Sequence, residues 1–176
     1  KDEQEVTRAN AADALVVLGL AARSATPALI ESLQSAGPGS KRHLLRALAA
    51  VGSDPEVAIP AILKILDTTE SDETRVTALR TLGEFEAGAE PAVPAVVELL
   101  KSEDLALKAE AIETLGEIGP GASEAVPVLV ELLQGDDGLV TISAAHALSR
   151  IGKPAAAPLQ KLLNEPGYEL LVATIL

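Results

Sequence analysis

The sequence predicts an all-α fold in which short antiparallel helix pairs stack side by side as an α-solenoid. Three columns of residues recur along the chain in steps of 33 or 34 residues, with one shorter last step of 30. The columns are Leu15, Leu48, Leu82, Leu115 and Leu148; Pro27, Pro60, Pro94 and Pro127; and Leu33, Leu66, Leu100, Leu133 and Leu163. A fixed period of this length indicates a linear array of supersecondary units.

The first helix of each repeat is predicted from its apolar periodicity. In the fourth repeat, the stretch "EDLALKAEAIETLGEI" has apolar residues three and four positions apart, which is the spacing of an amphipathic helix. These positions are Leu105, Ala109, Ile112 and Leu115. A glycine column follows the first helices, where a left-handed residue can end them; it consists of Gly19, Gly52, Gly119 and Gly152. Glu86 occupies this position in the third repeat, so we expect its turn to be built differently.

The second helix of each repeat follows a short turn. In the fourth repeat we expect it to begin at Ser123 or Glu124. Its predicted buried face consists of Val126, Leu129, Leu132 and Leu133. The proline column then falls in the first turn of the second helices, where a missing N–H group has no helical partner to lose.

Small residues form two further columns in the first helices, where they would let neighbouring backbones approach closely. The columns are Ala11, Ala78, Ala111 and Ala144, with Leu44 as the exception, and Ala49, Gly83, Gly116 and Ser149, with Val16 as the exception. Since one helix pair cannot cover its own apolar face, successive pairs should bury one another. The predicted repeats span residues 4–36, 37–69, 70–102, 103–135 and 136–165, with a partial sixth at 166–176. We expect them to form a single solenoid domain over residues 1–176.

With first helices such as "TLGEIG", second helices such as "AVPVLVELL" and a basic residue before the first apolar run, the chain resembles the short HEAT repeats common in bacterial proteins. The resemblance covers about residues 4–165 and implies a right-handed α-α superhelix of the armadillo type. It also implies that the second helices line a concave surface. Because this family serves chiefly as a scaffold, the resemblance points to protein binding more than to chemistry.

The composition argues against several classes of partner. The formal net charge is −12, which repels a phosphate backbone, so we predict no nucleic-acid partner. Phe85 and Tyr168 are the only aromatic residues, although tight interfaces usually need aromatic anchors. No uncharged run reaches the length that a membrane helix needs, so we predict no membrane insertion.

Both ends of the sequence look cut. The chain opens on Lys1 and closes inside the apolar run "LLVATIL", so we interpret it as a piece of a longer protein. A cytoplasmic location is the default prediction, and a secreted or periplasmic one stays open. An apolar edge at an array end also predicts that two copies can associate through their exposed ends.

Residues that could carry catalysis do not recur between the repeats. His43 and His146 lie three repeats apart, and each precedes an apolar residue. A related helical-repeat hydroxylase binds iron through His-Glu pairs, which are missing here. Serines and threonines have no histidine at a motif spacing, and acidic turns such as "GDDG" are typical of helix caps. We predict no enzyme, no catalytic residue, no metal and no cofactor.

A basic column precedes the apolar run of the first helices: Arg8, Lys41, Arg75 and Lys108, with Thr141 as the exception in the fifth repeat. The family resemblance implies that these residues pair with acids near the inter-helix turns and form a ladder along the stack. The alternative is a basic stripe for phosphates, which the excess of acids disfavours.

The second helices carry the predicted partner-binding residues. These are Glu31, Lys64, Glu98, Glu131 and Lys161, together with Val128, which lies one turn earlier in its helix. By resemblance they point into the concave groove, where charges alternate over an aliphatic floor that could hold a protein or peptide. The alternative interpretation is a solvated helix face.

Three other functions stay open at this point. A bilin-lyase-like or chaperone-like factor would handle a chromophore or a client protein, but the chain has few aromatic residues to stack on a tetrapyrrole. A rigid spacer in a larger multidomain protein fits the repeats equally well. A DNA glycosylase of the helical-repeat type is disfavoured, since it would need aromatic and basic residues.

Overall fold

The computed structural model describes residues 2–69 and 71–175. Within them the α-helices are α1 (Asp2–Leu18), α2 (Thr26–Ser35), α3 (Pro38–Ala50), α4 (Pro55–Thr68), α5 (Asp72–Gly83), α6 (Val93–Leu99), α7 (Leu105–Ile118), α8 (Val126–Leu133), α9 (Gly138–Ile151), α10 (Lys153–Leu162) and α11 (Glu169–Ile175). The 3₁₀ helices Gly19–Ala25, Glu86–Ala92 and Gly119–Ala125 join first helices to second helices. The described residues contain no β-strand, and the prediction of an all-α solenoid is confirmed.

The chain divides into two compact units, Lys1–Phe85 and Glu86–Leu176. The division falls inside the predicted third repeat, between its first helix α5 and its second helix α6. We refer to the two parts as the N-terminal unit and the C-terminal unit. The prediction of one domain over the whole chain stays a prediction.

In the N-terminal unit the first helices pack in succession, α1 on α3 and α3 on α5, while α2 packs on α4. The side chains between them are aliphatic and fully buried; they include Leu33, Leu45, Leu48, Ile59, Ile62, Leu79 and Leu82. Each helix pair thus covers the apolar face of its neighbour, as the repeat pattern requires.

The C-terminal unit repeats this arrangement. Helix α7 packs on α9 and α8 on α10, and α11 closes the unit against α9 and α10. Its core includes Ile112, Leu115, Ile118, Leu129, Leu133 and Leu148. We expected an exposed apolar edge at "LLVATIL", but Val172 and Ile175 are buried. The side chains of Leu170, Leu171 and Leu176 lie outside the described part.

A residue with a positive φ angle lies within three residues after the end of each of the helices α1, α3, α5, α7 and α9. The φ angles are 55° at Gly19, 63° at Gly52, 49° at Glu86, 72° at Gly119 and 69° at Gly152. The glycine prediction is confirmed. The turn at Glu86 is built differently, as expected, because α5 ends at Gly83 and the turn residues Glu84 and Phe85 lie before Glu86, although the φ of Glu86 is positive like that of the glycines. The conformation costs about 1–2 kcal/mol for a residue with a Cβ. Ala89 and Ala92, which follow in the 3₁₀ helix Glu86–Ala92, are completely buried.

The second helices begin at different points in different repeats. Helix α8 begins at Val126, after a 3₁₀ helix, and not at Ser123 or Glu124 as expected. The predicted proline position is confirmed for α2, α6 and α8. It is wrong for Pro60, which lies inside α4. That helix begins early because the Glu56 N–H donates to Asp54 Oδ1 over 3.1 Å, which caps it.

Residues Glu3–Ser35 have the length and apolar composition of a membrane-crossing helix. In the structure they do not form one straight helix, because Gly19 has a positive φ and the 3₁₀ helix Gly19–Ala25 separates α1 from α2. Core helices of soluble proteins and signal sequences share this composition, so it is weak evidence for a membrane. The absence of membrane insertion stays a prediction.

Glu5 ties the first repeat to the second. Its Oε2 accepts a hydrogen bond from Ser40 Oγ over 2.5 Å and another from the Gly37 N–H over 3.0 Å. Arg8, one turn later on α1, forms an ion pair with the same carboxylate. The Ser40 and Gly37 hydrogen bonds are the main reason why the pKa of Glu5 lies below its ordinary value of 4.5.

These contacts of Glu5 predict that the stability of the N-terminal unit depends on pH. Because the pKa of Glu5 is lower in the folded state than in the unfolded state, its stabilising effect is complete above pH 4.5 and is lost as the pH falls through the lowered pKa. Glu5→Gln should therefore be less stable than the unchanged chain near neutral pH, and the difference should narrow in acid. Urea unfolding followed by circular dichroism at several pH values measures this difference in stability. Glu3→Gln, an exposed carboxyl on the same helix, is the control, and a pH-independent difference would contradict the assignment.

Candidate interaction surface

The second helices of the N-terminal unit form a shallow groove between α2 and α4. It encloses a cavity of about 70 Å³ whose floor contains Ile30, Leu33 and Ile65. Its rim includes Lys41, at the start of α3, and Lys64, on α4. Leu33 and Ile65 belong to the buried core, so the floor is held rigidly by the packing of the helix pairs. The groove combines a small apolar floor with two ammonium groups.

The predicted residues of this unit differ in their relation to the groove. Lys64 is exposed and lines the cavity, so it can meet a bound chain directly. Glu31 is exposed on α2 and does not line the cavity. Lys41 was placed in the basic column, and its part in the groove was missed, because only the packing of α3 beside α2 brings it there.

In the C-terminal unit the predicted residues lie on three second helices. Glu98 on α6, Glu131 on α8 and Lys161 on α10 are exposed, and Val128 on α8 is half-buried. The carboxylate of Glu98 accepts a hydrogen bond from Lys101 Nζ over 2.7 Å. Both of these side chains are well exposed, so this pair contributes little to stability. Side chains of both charges from the sequence column are therefore exposed in each unit, although Glu98 and Glu131 are two successive acids.

A larger cleft lies at the inter-helix turns of the C-terminal unit, and the sequence analysis did not identify it. Its volume is about 450 Å³, and its lining includes Glu90, Pro91, Pro94, Ser123 and Glu124. The Glu90 side chain lies over Gly121, where an added Cβ would come within 3.2 Å of it. Glu90 and Ser123 occupy equivalent positions in successive repeats, which is the signal that could have indicated the cleft.

The first helices of the N-terminal unit form a basic pocket of about 220 Å³, lined by Arg42, His43, Arg46 and Thr77. Two of these basic side chains, Arg42 and His43, already pair with carboxylates. Nδ1 of His43 lies 2.7 Å from Asp13 Oδ1, and Arg42 pairs with Glu73. Burial raises the pKa of Glu84, and nearby Arg46 opposes this shift. A phosphate would have to displace these partners.

The basic column does not form the expected ladder at two of its members. Arg8 pairs with Glu5 and Arg75 with Asp72, each on its own helix and three residues earlier. These are local helix pairs of the kind worth a few tenths of a kcal/mol. At these two positions the pairs lie within one helix, and the pair of Arg8 adjoins the hydrogen bonds that join Glu5 to the second repeat.

The second histidine, His146, is exposed on α9. Within residues 2–69 and 71–175, no group of three or more histidine and acidic side chains could hold a metal ion. The described surface thus offers grooves and charged rims as its candidate functional features.

Comparison with known proteins finds a similarity to HEAT repeats over part of the chain. A sequence profile of HEAT repeats matches residues 59–140, just under half of the chain. The resemblance predicted from the sequence is confirmed there. Proteins with HEAT repeats typically mediate protein–protein interactions and are typically non-catalytic. No curated protein matches the sequence as a relative.

Solved structures share the fold. One engineered protein is 26% identical, with a TM-score of 0.63 over 97% of this chain and 87% of its own. A second engineered protein is 27% identical, with a TM-score of 0.63 over 99% of this chain; the chain spans only 54% of that protein's length.

A third similar structure is the complex of CpcE and CpcF of phycocyanin lyase from Nostoc sp. PCC7120. It is 18% identical, with a TM-score of 0.58 over 86% of this chain and 98% of that one. At this identity the likeness concerns the fold alone.

Proposed function

We propose that this HEAT-repeat chain is a non-catalytic scaffold that binds a partner polypeptide along the surface of its second helices. The observation that carries the proposal is the groove between α2 and α4, where Lys41 and Lys64 flank an apolar floor. HEAT repeats are typical of protein interaction, which supports the same class of function. The partner would be a protein or peptide.

The chemistry of the groove favours a particular kind of segment. An apolar side chain can cover Ile30 and Ile65, while a carboxylate on the same segment can meet Lys64. An amphipathic helix or an extended acidic segment presents both groups at once. Glu31 on α2 would then extend the contact or select its register, while Glu98, Glu131 and Lys161 are proposed contact positions on the second helices of the C-terminal unit.

Reversing the charge of Lys64 tests this proposal. Peptides that bind the chain are first selected from a displayed random library, and we expect them to combine apolar and acidic residues. Lys64→Glu should lower the affinity for the selected peptides by about tenfold or more, since one charge contact in a partly desolvated groove is worth about 1–2 kcal/mol of binding free energy. Fluorescence anisotropy with labelled peptides measures the change.

The matched control is Lys153→Glu, an exposed lysine in the first turn of α10, where an acid is compatible with the helix dipole. This variant should bind the peptides as the unchanged chain does. Failure of the library to yield any binder, or equal binding to Lys64→Glu, would refute the proposal.

A chromophore-handling role is the second candidate, because the fold of the phycocyanin lyase complex is similar over most of this chain. Phe85 and Tyr168 are the only aromatic residues, which disfavours stacking on a tetrapyrrole. Adding a bilin should leave its absorbance spectrum unchanged. A red shift with saturation would favour this role instead.

A further inference from the structure

The cavity between α2 and α4 depends on a small side chain. Ala61 on α4 lines the cavity and is half-buried. The residue at the same repeat position on α8 is Val128, which is also half-buried. The additional methyl groups of a valine at position 61 would fill part of the cavity beside Ile65, which lies one turn later on the same face of α4. Alanine at this position therefore leaves room for a side chain of another molecule.

The size of the cavity limits the side chains that it can take. Its volume is about 70 Å³, whereas an apolar cavity that holds benzene measures about 150 Å³. Leu33 and Ile65 at its floor are 1% and 4% exposed, so they are fixed in a close-packed core and cannot move aside without loss of stability. The cavity therefore fits the branched end of a valine, leucine or isoleucine and excludes an aromatic ring.

The charge beside the cavity is set by two lysines. Lys41, which is half-buried, and Lys64, which is exposed, line the same cavity. Among the described residues neither ammonium group forms an ion pair, although the chain has 26 acidic residues. Lys101, by contrast, pairs with Glu98. A carboxylate of another molecule can therefore meet Lys41 and Lys64 without displacing an internal partner.

We propose that this cavity binds one valine, leucine or isoleucine side chain of an acidic segment of the partner, with a carboxylate of that segment held by Lys41 and Lys64. The inference rests on the proposed function and specifies the partner segment further. We call the bound aliphatic side chain the anchor. It buries apolar surface in a site that is already formed, so little reorganisation opposes binding. An aromatic anchor would have to disturb the helix packing at Leu33 and Ile65.

A series of peptides tests the choice of anchor. Binding peptides are selected from the displayed library, and the apolar residue whose replacement by alanine weakens binding most is taken as the anchor. Leucine, isoleucine or valine at that position should bind most tightly. Alanine and phenylalanine should each raise the dissociation constant about tenfold, the first through lost apolar contact and the second through overpacking. Fluorescence anisotropy measures the dissociation constants, and a phenylalanine peptide that binds as tightly as the leucine peptide would overturn the inference.

Filling the cavity from the protein side tests its position. In Ala61→Leu the added carbon atoms occupy the cavity, so peptides with a leucine and an alanine anchor should bind this variant with the same affinity. Ala61→Val should reduce the difference between the two peptides in part, and valine is already present at this repeat position on α8. A difference that survives unchanged in both variants would overturn the site.

Ala106→Leu is the matched control for these variants. Ala106 is exposed near the start of α7, which is a first helix and lies in the C-terminal unit. This variant should therefore keep the full difference in affinity between the leucine and alanine peptides. Circular dichroism checks that each variant is folded. Loss of the difference in Ala106→Leu would overturn the assignment of the anchor to the cavity at Ala61.

The inference and the proposed function fail in different ways. A library that yields no binder, or peptides that bind Lys64→Glu as well as the unchanged chain, would refute both. Peptides that depend on Lys64 but bind equally with leucine, alanine and phenylalanine anchors would overturn the anchor alone and leave the scaffold function standing.

Discussion

Replacing Leu115 by alanine should lower the free energy of unfolding of the C-terminal unit by about 2–5 kcal/mol. Leu115 lies on α7, is completely buried and belongs to the leucine column that defines the repeats. The truncation removes methyl groups from a close-packed site whose neighbours cannot fully collapse into the space. Urea unfolding followed by circular dichroism measures the loss.

The same helix supplies the control for this experiment. Leu105 is 44% exposed at the start of α7, so Leu105→Ala removes the same atoms from a site already in contact with water. We expect it to cost less than about 1 kcal/mol. Equal losses for the two variants would contradict the burial on which the repeat architecture depends.

Hydrogen exchange locates the effect of Leu115→Ala. Because repeats contact only their neighbours, protection should fall mainly in α6 to α9, which pack on or beside α7. Loosening spread evenly over all helices would argue that the chain behaves as one cooperative globule.

Gly116→Ala should destabilise the C-terminal unit by about 1–3 kcal/mol, although alanine is the better helix former. An added Cβ would lie 2.8 Å from the Ala147 Cα, a distance that backbone atoms must move to relieve. The change therefore forces α7 and α9 apart and weakens the contacts on both sides of Gly116. Thermal unfolding followed by circular dichroism should show a lower midpoint.

Gly138→Ala is the matched control, because no atom lies within 4 Å of a Cβ added there at the start of α9. We expect this variant to be as stable as the unchanged chain or slightly more so. A Gly116→Ala variant as stable as the unchanged chain would show that α7 and α9 can separate without loss of stability.

The fold could be predicted from the sequence because residues of one leucine column are buried in most repeats. Leu48, Leu82, Leu115 and Leu148 are all completely buried. Leu15, in the same column, is only half-buried. The period gives the position of a residue within its repeat, but not whether a neighbouring helix covers it.

Local details were less predictable where two short-range effects compete. At Pro60 the proline rule predicts a helix start, but the cap at Asp54 and the proline that follows it begin α4 earlier. At Glu86 the side chain disfavours a positive φ, yet the residue adopts one, and Ala89 and Ala92 of the 3₁₀ helix that follows are buried. The column pattern contains neither the cap at Asp54 nor this local packing.

The candidate surface was predictable in part. Lys64 and Glu131 of the second-helix column are exposed, as partner binding and a solvated helix face would both require, so the binding role stays a prediction. It does not give the cavity beside Lys64, since that depends on the approach of α3 to α2 and on the side-chain shapes of Ile30 and Ile65. The cleft at Glu90 depends likewise on the way two 3₁₀ turns sit beside each other.

The close approach of Gly116 to Ala147 also gives α7 and α9 an uneven elasticity. Compressing the helices toward each other meets steep repulsion between backbone atoms, so the helices strongly resist closer approach. Pulling them apart is opposed only by the gradual exposure of aliphatic side chains, which is a softer restoring force. A load that bends this part of the chain would therefore open it more easily than close it.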